Sequence, residues 1–573
     1  MSKPFFITTA IDYTNGAPHI GHAYEKVLAD VLARYHRLKG DEVFFLTGVD
    51  QHGQKVQQSA EKAGVSPQEF VDGVTKKFIN LWDKLDVRYD EWAATTDTRH
   101  KDCVRAILQR LWDEKGADGQ SRWIYKKTQR GYYSVRQEQF LTDKERGPDG
   151  EYGSEWGQVE ERDEENYYFR LTRDKVTGAP GLDPKQWLLD LIDARSAAGT
   201  PFVVPDFRVA ELRNAVEKLD GDLCISRPLA RLTWGIPFPF DPAFVTYVWF
   251  DALVNYVSFA PGFGEYFTAE AQRHGEEAAP SSDLRVSVPL RFKDLWPPLH
   301  VIGKDIMIPA HGVYWPIMLK ALGFGDADIP PLLVHGWWNI SGAKMSKSEG
   351  NVIDPDQLAD KYGAETLRYY LMSNIAIGRD ADFSEERLVQ RYNTDLANSL
   401  GNLLNRTLSM AAKYREGILR SLTLENLPLD PLLIEVGERY EDETSNACEA
   451  ADSFDDFDIA EALSLALAIA ADCNLMIELK APWKLAKDPA SADLLDAVLY
   501  HLAESLRIIA ILLYPVMPKA AHGIFDQLGW KLAESGRSQR FHLADLKWGV
   551  LPDGHLLGKP TPLFPRIELS PTV

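Results

Sequence analysis

His19-Ile20-Gly21-His22 and, more than 300 residues later, Lys344-Met345-Ser346-Lys347-Ser348 are the clusters whose types and spacing could do chemistry together. The first follows an apolar strand pattern, Phe5 to Ile11, and opens a helical one. Imidazoles at a helix N-terminus suit an anion, because the backbone N–H groups and the helix dipole already favour negative charge there. Gly21 between them lets a ligand lie close to the backbone. The second cluster, between Gly342 and Gly350, offers two ammonium groups and two hydroxyls on a loop that could close over a polyphosphate. When a carboxylate attacks the α-phosphorus of ATP and displaces pyrophosphate, the protein's task is mostly positioning and charge neutralisation. His19, His22, Lys344 and Lys347 are therefore the candidate catalytic residues. Taken singly, each cluster also reads as a helix cap or a solvated loop; their pairing points to one ATP site.

The elements that must position them read as α/β. After Phe5–Ile11 comes a helix with Tyr24, Val27, Leu28, Val31, Leu32, Tyr35 and Leu38 on one face, a spacing that packs against a sheet. Gly40 fits its end. A second buried strand, Val43–Val49, runs into Asp50-Gln51-His52-Gly53. This order predicts a doubly wound parallel sheet with its site at the strand C-termini. Gly303-x-Asp305 ends another buried strand, where a carboxylate could accept hydrogen bonds from both ribose hydroxyls. The pattern divides the chain into 1–115 and 233–330, two halves of a catalytic domain; 116–232, an inserted domain of charged, Gly-rich and aromatic stretches; 331–390, the lysine-serine loop with its C-terminal flank, in which Asp354-Pro355 opens a helix; 391–545, an all-α bundle; and 546–573, a Pro/Gly-rich tail.

The 573 residues need several cores. Apolar residues at 45% and charged ones at 26% describe an ordinary globular chain, and no unbroken run of 18 apolar residues suggests a membrane span. No secretory segment precedes the first strand, so a cytoplasmic location is expected. The four cysteines, Cys103, Cys224, Cys448 and Cys473, form no C-x-x-C pair, which argues against a disulfide framework or a cysteine-based zinc site. A net charge of −21 disfavours nucleic acid in general and leaves room for local phosphate contacts.

Ala10-Ile11-Asp12-Tyr13-Thr14-Asn15-Gly16-x-x-His19-Ile20-Gly21-His22 resembles the opening of the methionyl-tRNA synthetases, a family of class I aminoacyl-tRNA synthetases. Asp50–Gly53, Tyr247-Val248-Trp249-Phe250-Asp251-Ala252, Ile302–Asp305 and Gly342–Ser348 resemble it in the same order, from about residue 5 to 545. The resemblance implies a Rossmann-like catalytic domain, a connective insertion and a helical anticodon-binding bundle. It implies a methionine pocket of Ala10, Ile11, Tyr13, Trp249, Ala252, Leu253, Tyr256 and His311, with Asp50 on the ammonium. Aromatic walls suit a polarizable thioether and a carboxylate suits an amine. ATP would meet His19, Gly21, His22, Glu25, Gly303, Asp305, Lys344 and Lys347, with Mg2+ accompanying it. Asn402, Arg406, Pro482 and Trp483 would read the anticodon, Trp483 by stacking on a base unless it is core. The expected activity is ligation of methionine to tRNA(Met); no membrane or DNA partner is expected, and a monomer is favoured because the chain ends before any additional tRNA-binding module.

Two stretches depart from the family. The zinc knuckle that many members carry begins with a Tyr-Cys-x-x-Cys element, but Tyr133-Ser134-Val135-Arg136-Gln137 stands here, so no structural zinc is expected. Asp305 to Trp315 is one residue longer than usual, with Ala310 where an aromatic is frequent. The span 116–232 is too short for the editing domain of the branched-aliphatic relatives, and a cysteine-specific relative would need zinc for its substrate thiolate. A nucleotidyltransferase of the same superfamily would not need the bundle with Trp483, and a non-catalytic tRNA-binding paralogue would not need His19, His22, Lys344 and Lys347.

Overall fold

The computed structural model describes residues 3–116, 118–134, 139–141, 145–147, 149–172, 183–265, 267, 292–340, 342–344, 353–421, 431–530 and 541–568. Its centre is a seven-stranded sheet: β1 Pro4–Thr9, β2 Asp12–Tyr13, β3 Glu42–Asp50, β4 Glu91–Ala94, β5 Val203–Val204, β6 Leu299–Gly303 and β7 Leu332–His335, in the order β2-β3-β1-β6-β7-β5 with β4 beside β3. Every pairing is parallel. β1 lies between β3 and β6, so chain order reverses there and a crevice opens at the C-terminal ends of these strands, the usual ligand position in such sheets. Helix α1, Ile20–Lys39, fills the crossover from β1 to β3 and is stopped by Gly40 at φ 89°. Thr98–Asp113 (α2) and Val248–Ser258 (α3) pack on each other across one face of the sheet.

The insertion is a smaller antiparallel sheet. Ile124–Ser134 pairs with Val159–Phe169 over its whole length, flanked by Gln139–Leu141 and Leu223–Cys224. Within 116–232, β5 belongs instead to the central sheet: Val203 and Val204 pair with Leu332 and Leu333. Two paired residues between Phe202 and Pro205 carry too short a period to announce a strand.

Ala364–Ser373 (α4) leads to the bundle of Asn402–Arg415 (α5), Pro431–Asp455 (α6), Ile459–Lys480 (α7) and Ala492–Leu513 (α8). Residues 459–485 are long and apolar enough by composition to cross a membrane, which the lack of an unbroken apolar run had not suggested. In the fold, Leu463, Ala466, Ile469, Ala470 and Cys473 of that stretch are buried, and α7 packs on α6, α8 and α4. Glu443, Cys473 and His501, one from each of α6, α7 and α8, could by type hold a metal. Their polar atoms already satisfy one another: His501 Nε2 and Ser505 Oγ reach the two oxygens of Glu443 at 2.8 and 2.5 Å.

One buried cation joins the two halves. Arg368 of α4, 0% exposed, donates to the carbonyls of Leu85, Pro515 and Val516 and pairs with Asp30 of α1 at 2.7 Å. Burial alone would raise the Asp30 carboxyl; Arg34 and Arg368 hold it below its usual value. Arg368→Met should therefore cost about 3–5 kcal/mol of stability, the penalty for stranding a buried charge. Arg368→Lys, without the planar fork, should recover less than half. Urea midpoints at unchanged slope measure this, and a loss below about 1 kcal/mol for the Met variant would refute it.

Candidate active site

The crevice between β1 and β6 deepens into a cavity of about 900 Å3. Ala10, Ile11, Tyr13, Asp50, Trp249, Ala252, Leu253, Tyr256 and His311 all line it, and so do His19, Gly21, His22, Glu25, Gly303 and Asp305. Lys344 lies in the short strand Ala343–Lys344, paired with Trp338–Ile340 next to the cavity wall. Lys347 and Gln137 lie outside the described residues.

At the start of α1 the two imidazoles cap the helix reciprocally. The Gly21 N–H donates to His19 Nδ1 and the His19 N–H to His22 Nδ1, both at 3.1 Å, and the rings stack at 3.7 Å. With both Nδ1 lone pairs used, a neutral ring carries its proton on Nε2. The space a side chain would take at Gly21 is filled by the His19 ring, whose carbon would lie 3.0 Å from a Cβ. Glycine here thus serves the imidazole first. Gly303 acts similarly: a Cβ would meet Asp305 Oδ1 at 2.7 Å.

Beneath the histidines lies a charged hub that the sequence did not announce. Lys26, wholly buried, donates to the Ala10 carbonyl (2.9 Å), Asp12 Oδ1 (2.7 Å) and Glu25 Oε1 (2.8 Å). Glu25 Oε2 meets His335 Nε2 at 3.1 Å, so both oxygens of this carboxylate are engaged inside the protein. Burial pushes the Asp12 carboxyl up to about 7, against the pull of Lys26. His335 could have been suspected, since it ends β7, a buried parallel strand, where such sheets keep their functional groups. Lys26 gave no signal, because a lysine on the packed side of a helix looks like a solvated one in sequence.

The opposite wall is neutral. The Tyr256 hydroxyl donates to His311 Nε2 at 2.7 Å, while His311 Nδ1 faces the Ile306 carbonyl at 3.0 Å. Behind them Trp315 donates to His300 Nε2, and His300 Nδ1 faces Thr8. Burial lowers His311 to about 4 and His300 well below its usual value. Met307–Tyr314 carries π-type winding interrupted at Ile308, whose φ of −114° and ψ of 128° are extended rather than helical. Ala310 is fully buried in it.

Far from this cavity, Asn402 and Arg406 line a shallow depression of about 400 Å3 with Asn398, Asn474 and Glu478. Arg406 pairs with Glu478 at 2.7 Å. Pro482 is buried at the head of a short helix, whereas Trp483 is 37% exposed, in line with the stacking alternative and against the core one.

A family model described as tRNA synthetases class I (M) matches residues 5–408. The methionine–tRNA ligase of Streptococcus pneumoniae serotype 4 is 38% identical over 581 residues, covering 99% of this chain and 78% of that one. The methionine–tRNA ligase of Thermosynechococcus vestitus is 37% identical over 581 residues, covering 100% and 99%. Among solved structures, Mycobacterium tuberculosis methionyl-tRNA synthetase in complex with methionyl-adenylate matches with a TM-score of 0.80 at 34% identity, covering 98% of this chain and 100% of that one. The apo form matches at 0.75 and 30%, covering 100% and 99%.

The neutral wall has a measurable consequence. Unfolded His311 takes a proton near pH 6.5 and the folded ring only near pH 4. Its share of stability is complete above pH 6.5 and declines as pH falls towards 4, by on the order of 3 kcal/mol. His311→Gln should lose that share of the pH dependence. Denaturant melts of both proteins at pH 7 and pH 4.5 check this, and identical pH dependence would refute it.

Proposed function

The chain belongs to the methionine-type class I tRNA synthetases and joins methionine to tRNA with ATP, and we propose that the cavity at the β1–β6 switch is where it does so. One observation carries this reading. The residues expected around methionine and six of those expected around ATP (His19, Gly21, His22, Glu25, Gly303 and Asp305) line a single cavity at the strand C-termini.

In this reading Asp50 takes the methionine ammonium, and the side chain lies among Ala10, Ile11, Tyr13, Trp249, Ala252, Leu253, Tyr256 and His311. A neutral His311 and the tyrosine hydroxyl suit a thioether, which carries no charge to be met. Asp305 takes the ribose, with Gly303 allowing its approach. Glu25 acts on ATP through the Lys26 and His335 hub. The methionine carboxylate oxygen attacks the α-phosphorus, and the bond to pyrophosphate breaks. His19 and His22 hold charge at the helix end, and Lys344 and Lys347 meet the departing pyrophosphate. A 3′-terminal ribose hydroxyl of tRNA then attacks the acyl carbon, and AMP leaves with the carbon–oxygen bond electrons. Mg2+ enters as counterion of the nucleotide's phosphates. Asn402, Arg406, Pro482 and Trp483 form the anticodon face, on a cytoplasmic monomer.

ATP–pyrophosphate exchange with each of the twenty amino acids tests the substrate assignment; methionine should dominate, and preference for another amino acid would overturn it. Trp483→Ala should cut tRNA charging about 5- to 150-fold, the loss of about 1–3 kcal/mol of stacking, while exchange and melting temperature hold. Equal loss of charging and exchange would remove Trp483 from the anticodon face.

The insertion is read as metal-free. Ser134, where many family members have a thiolate, is buried and donates to the Trp156 carbonyl at 2.6 Å, while Cys224 lies at the far end of the hairpin, beside Tyr168. This donor set does not suit tetrahedral zinc. Elemental analysis of untagged protein should find no stoichiometric zinc. Zinc that survives Cys473→Ser would overturn this reading, since that substitution removes a ligand from the bundle's own candidate group.

A further inference from the structure

Asp251 lies in α3 between Phe250 and Ala252 and is 0% exposed. Its two oxygens are shared between distant parts of the chain: Oδ2 meets His52 Nδ1 and Oδ1 meets His100 Nε2, each at 2.7 Å. His100 Nδ1 in turn meets Ser258 Oγ at 2.8 Å, back on α3. Burial alone would raise the Asp251 carboxyl; contacts with the two imidazoles bring it down to about 2, so it is a carboxylate at any working pH. No step of the reaction described above uses these groups.

Their position gives them a task. His52 is two residues beyond Asp50, in the turn that ends β3. Ala252, one residue after Asp251, lines the cavity, as do Trp249 and Tyr256 of the same helix. The Asp251 carboxylate therefore fastens the turn carrying the ammonium acceptor to the helix carrying the thioether wall. The turn is held from other sides as well. Trp234 Nε1 donates to the Gln51 carbonyl at 2.5 Å, and the Gln51 N–H donates to Thr95 Oγ1 at 2.9 Å. Those contacts fix the turn to its surroundings, whereas the Asp251 oxygens fix it to the pocket wall.

We propose that Asp251, with His52 and His100, is a positioning cluster that sets the spacing between the ammonium site and the side-chain wall, and so selects methionine by length. This rests on Asp50 receiving the ammonium, as read above. An amino acid shorter by one methylene cannot reach both ends of a rigid site, so the fixed spacing supplies discrimination as well as affinity. The hydrogen bonds of the Lys26, Glu25 and His335 hub run to Ala10, Asp12 and one another, not to Asp251, His52 or His100, so the nucleotide end is not fastened through the cluster.

The test is steady-state ATP–pyrophosphate exchange with methionine and ATP varied separately, beside thermal melts. Asp251→Asn and His52→Ala should raise the methionine KM about tenfold or more and narrow the preference over homocysteine, with the ATP KM within about twofold. His52→Asn and His100→Gln keep an N–H donor near Nδ1 and Nε2 respectively, and both should restore the methionine KM to within about threefold of the parent. A lowered melting temperature with both KM values unchanged would show a merely structural cluster and overturn the proposal. Equal rises in both KM values would overturn it too. Asp50→Asn is run alongside: an unchanged methionine KM there would refute the ammonium reading itself, separately from the cluster.

Discussion

The ion pair between Asp30 and Arg368 holds the fold together because of where it sits on α1. This helix of 20 residues runs about 30 Å. Its first turn carries the two histidines into the cavity, and its next turn supplies Glu25 and Lys26 to the hub. Its last turns reach the bundle, where the Tyr35 hydroxyl donates to the Ala451 carbonyl at 2.7 Å and the ring stacks on Phe454. Asp30 and Arg34 occupy the middle, bound to Arg368 and Asp86. A helix gripped at its centre by a fully desolvated pair, with carbonyls of the segment after α8 on the same guanidinium, is not free to slide or rotate between cavity and bundle. The cavity end is thereby fixed relative to the bundle.

The cavity itself is divided by charge. On the α1 side, Lys26 meets one oxygen each of Asp12 and Glu25, and the other Glu25 oxygen meets His335. On the α3 side, burial keeps His300 and His311 neutral, and hydroxyls or indole N–H groups complete their hydrogen bonds. A thioether brings no charge and little hydrogen-bonding capacity, so a charged wall would cost desolvation without return. Asp50 lines the same cavity and, in the reading proposed above, takes the ammonium.

Much of this was legible in the sequence. Period and caps marked α1 and its end at Gly40, and Asp354 caps the helix Pro355–Tyr362 as its Pro at the first position suggested. The cavity residues were legible because motif residues at strand ends leave characteristic glycines and carboxylates. The hub and the Asp251 cluster were not. A buried Lys26 is spaced along α1 like an exposed one, and the pairing of Asp251 with His52 and His100 spans 199 and 151 residues, which no local pattern records. β5 was hidden by its length. The exposure of Trp483 was undecided for a similar reason: Ala481, at φ 44°, ends α7 and turns the following short helix outward, a backbone choice that composition does not dictate.

One guanidinium ties the insertion together. Arg231 lays its guanidinium on both oxygens of Glu164 at 3.0 Å, meets the Tyr133 hydroxyl, and covers the Tyr133 ring at 4.3 Å. The same group reaches Gln54, on the helix that comes after the Asp50 turn. A bidentate fork and a cation–π contact fix both strands of the long hairpin and fasten it to the catalytic domain, and each is short-ranged and directional, as a zinc–thiolate bond is. They differ in what disturbs them. A thiolate site fails with oxidation or chelation, while the guanidinium is weakened chiefly by loss of its carboxylate partner. Glu164 and Arg231 are thus the pair on which the fastening of the hairpin to the catalytic domain turns.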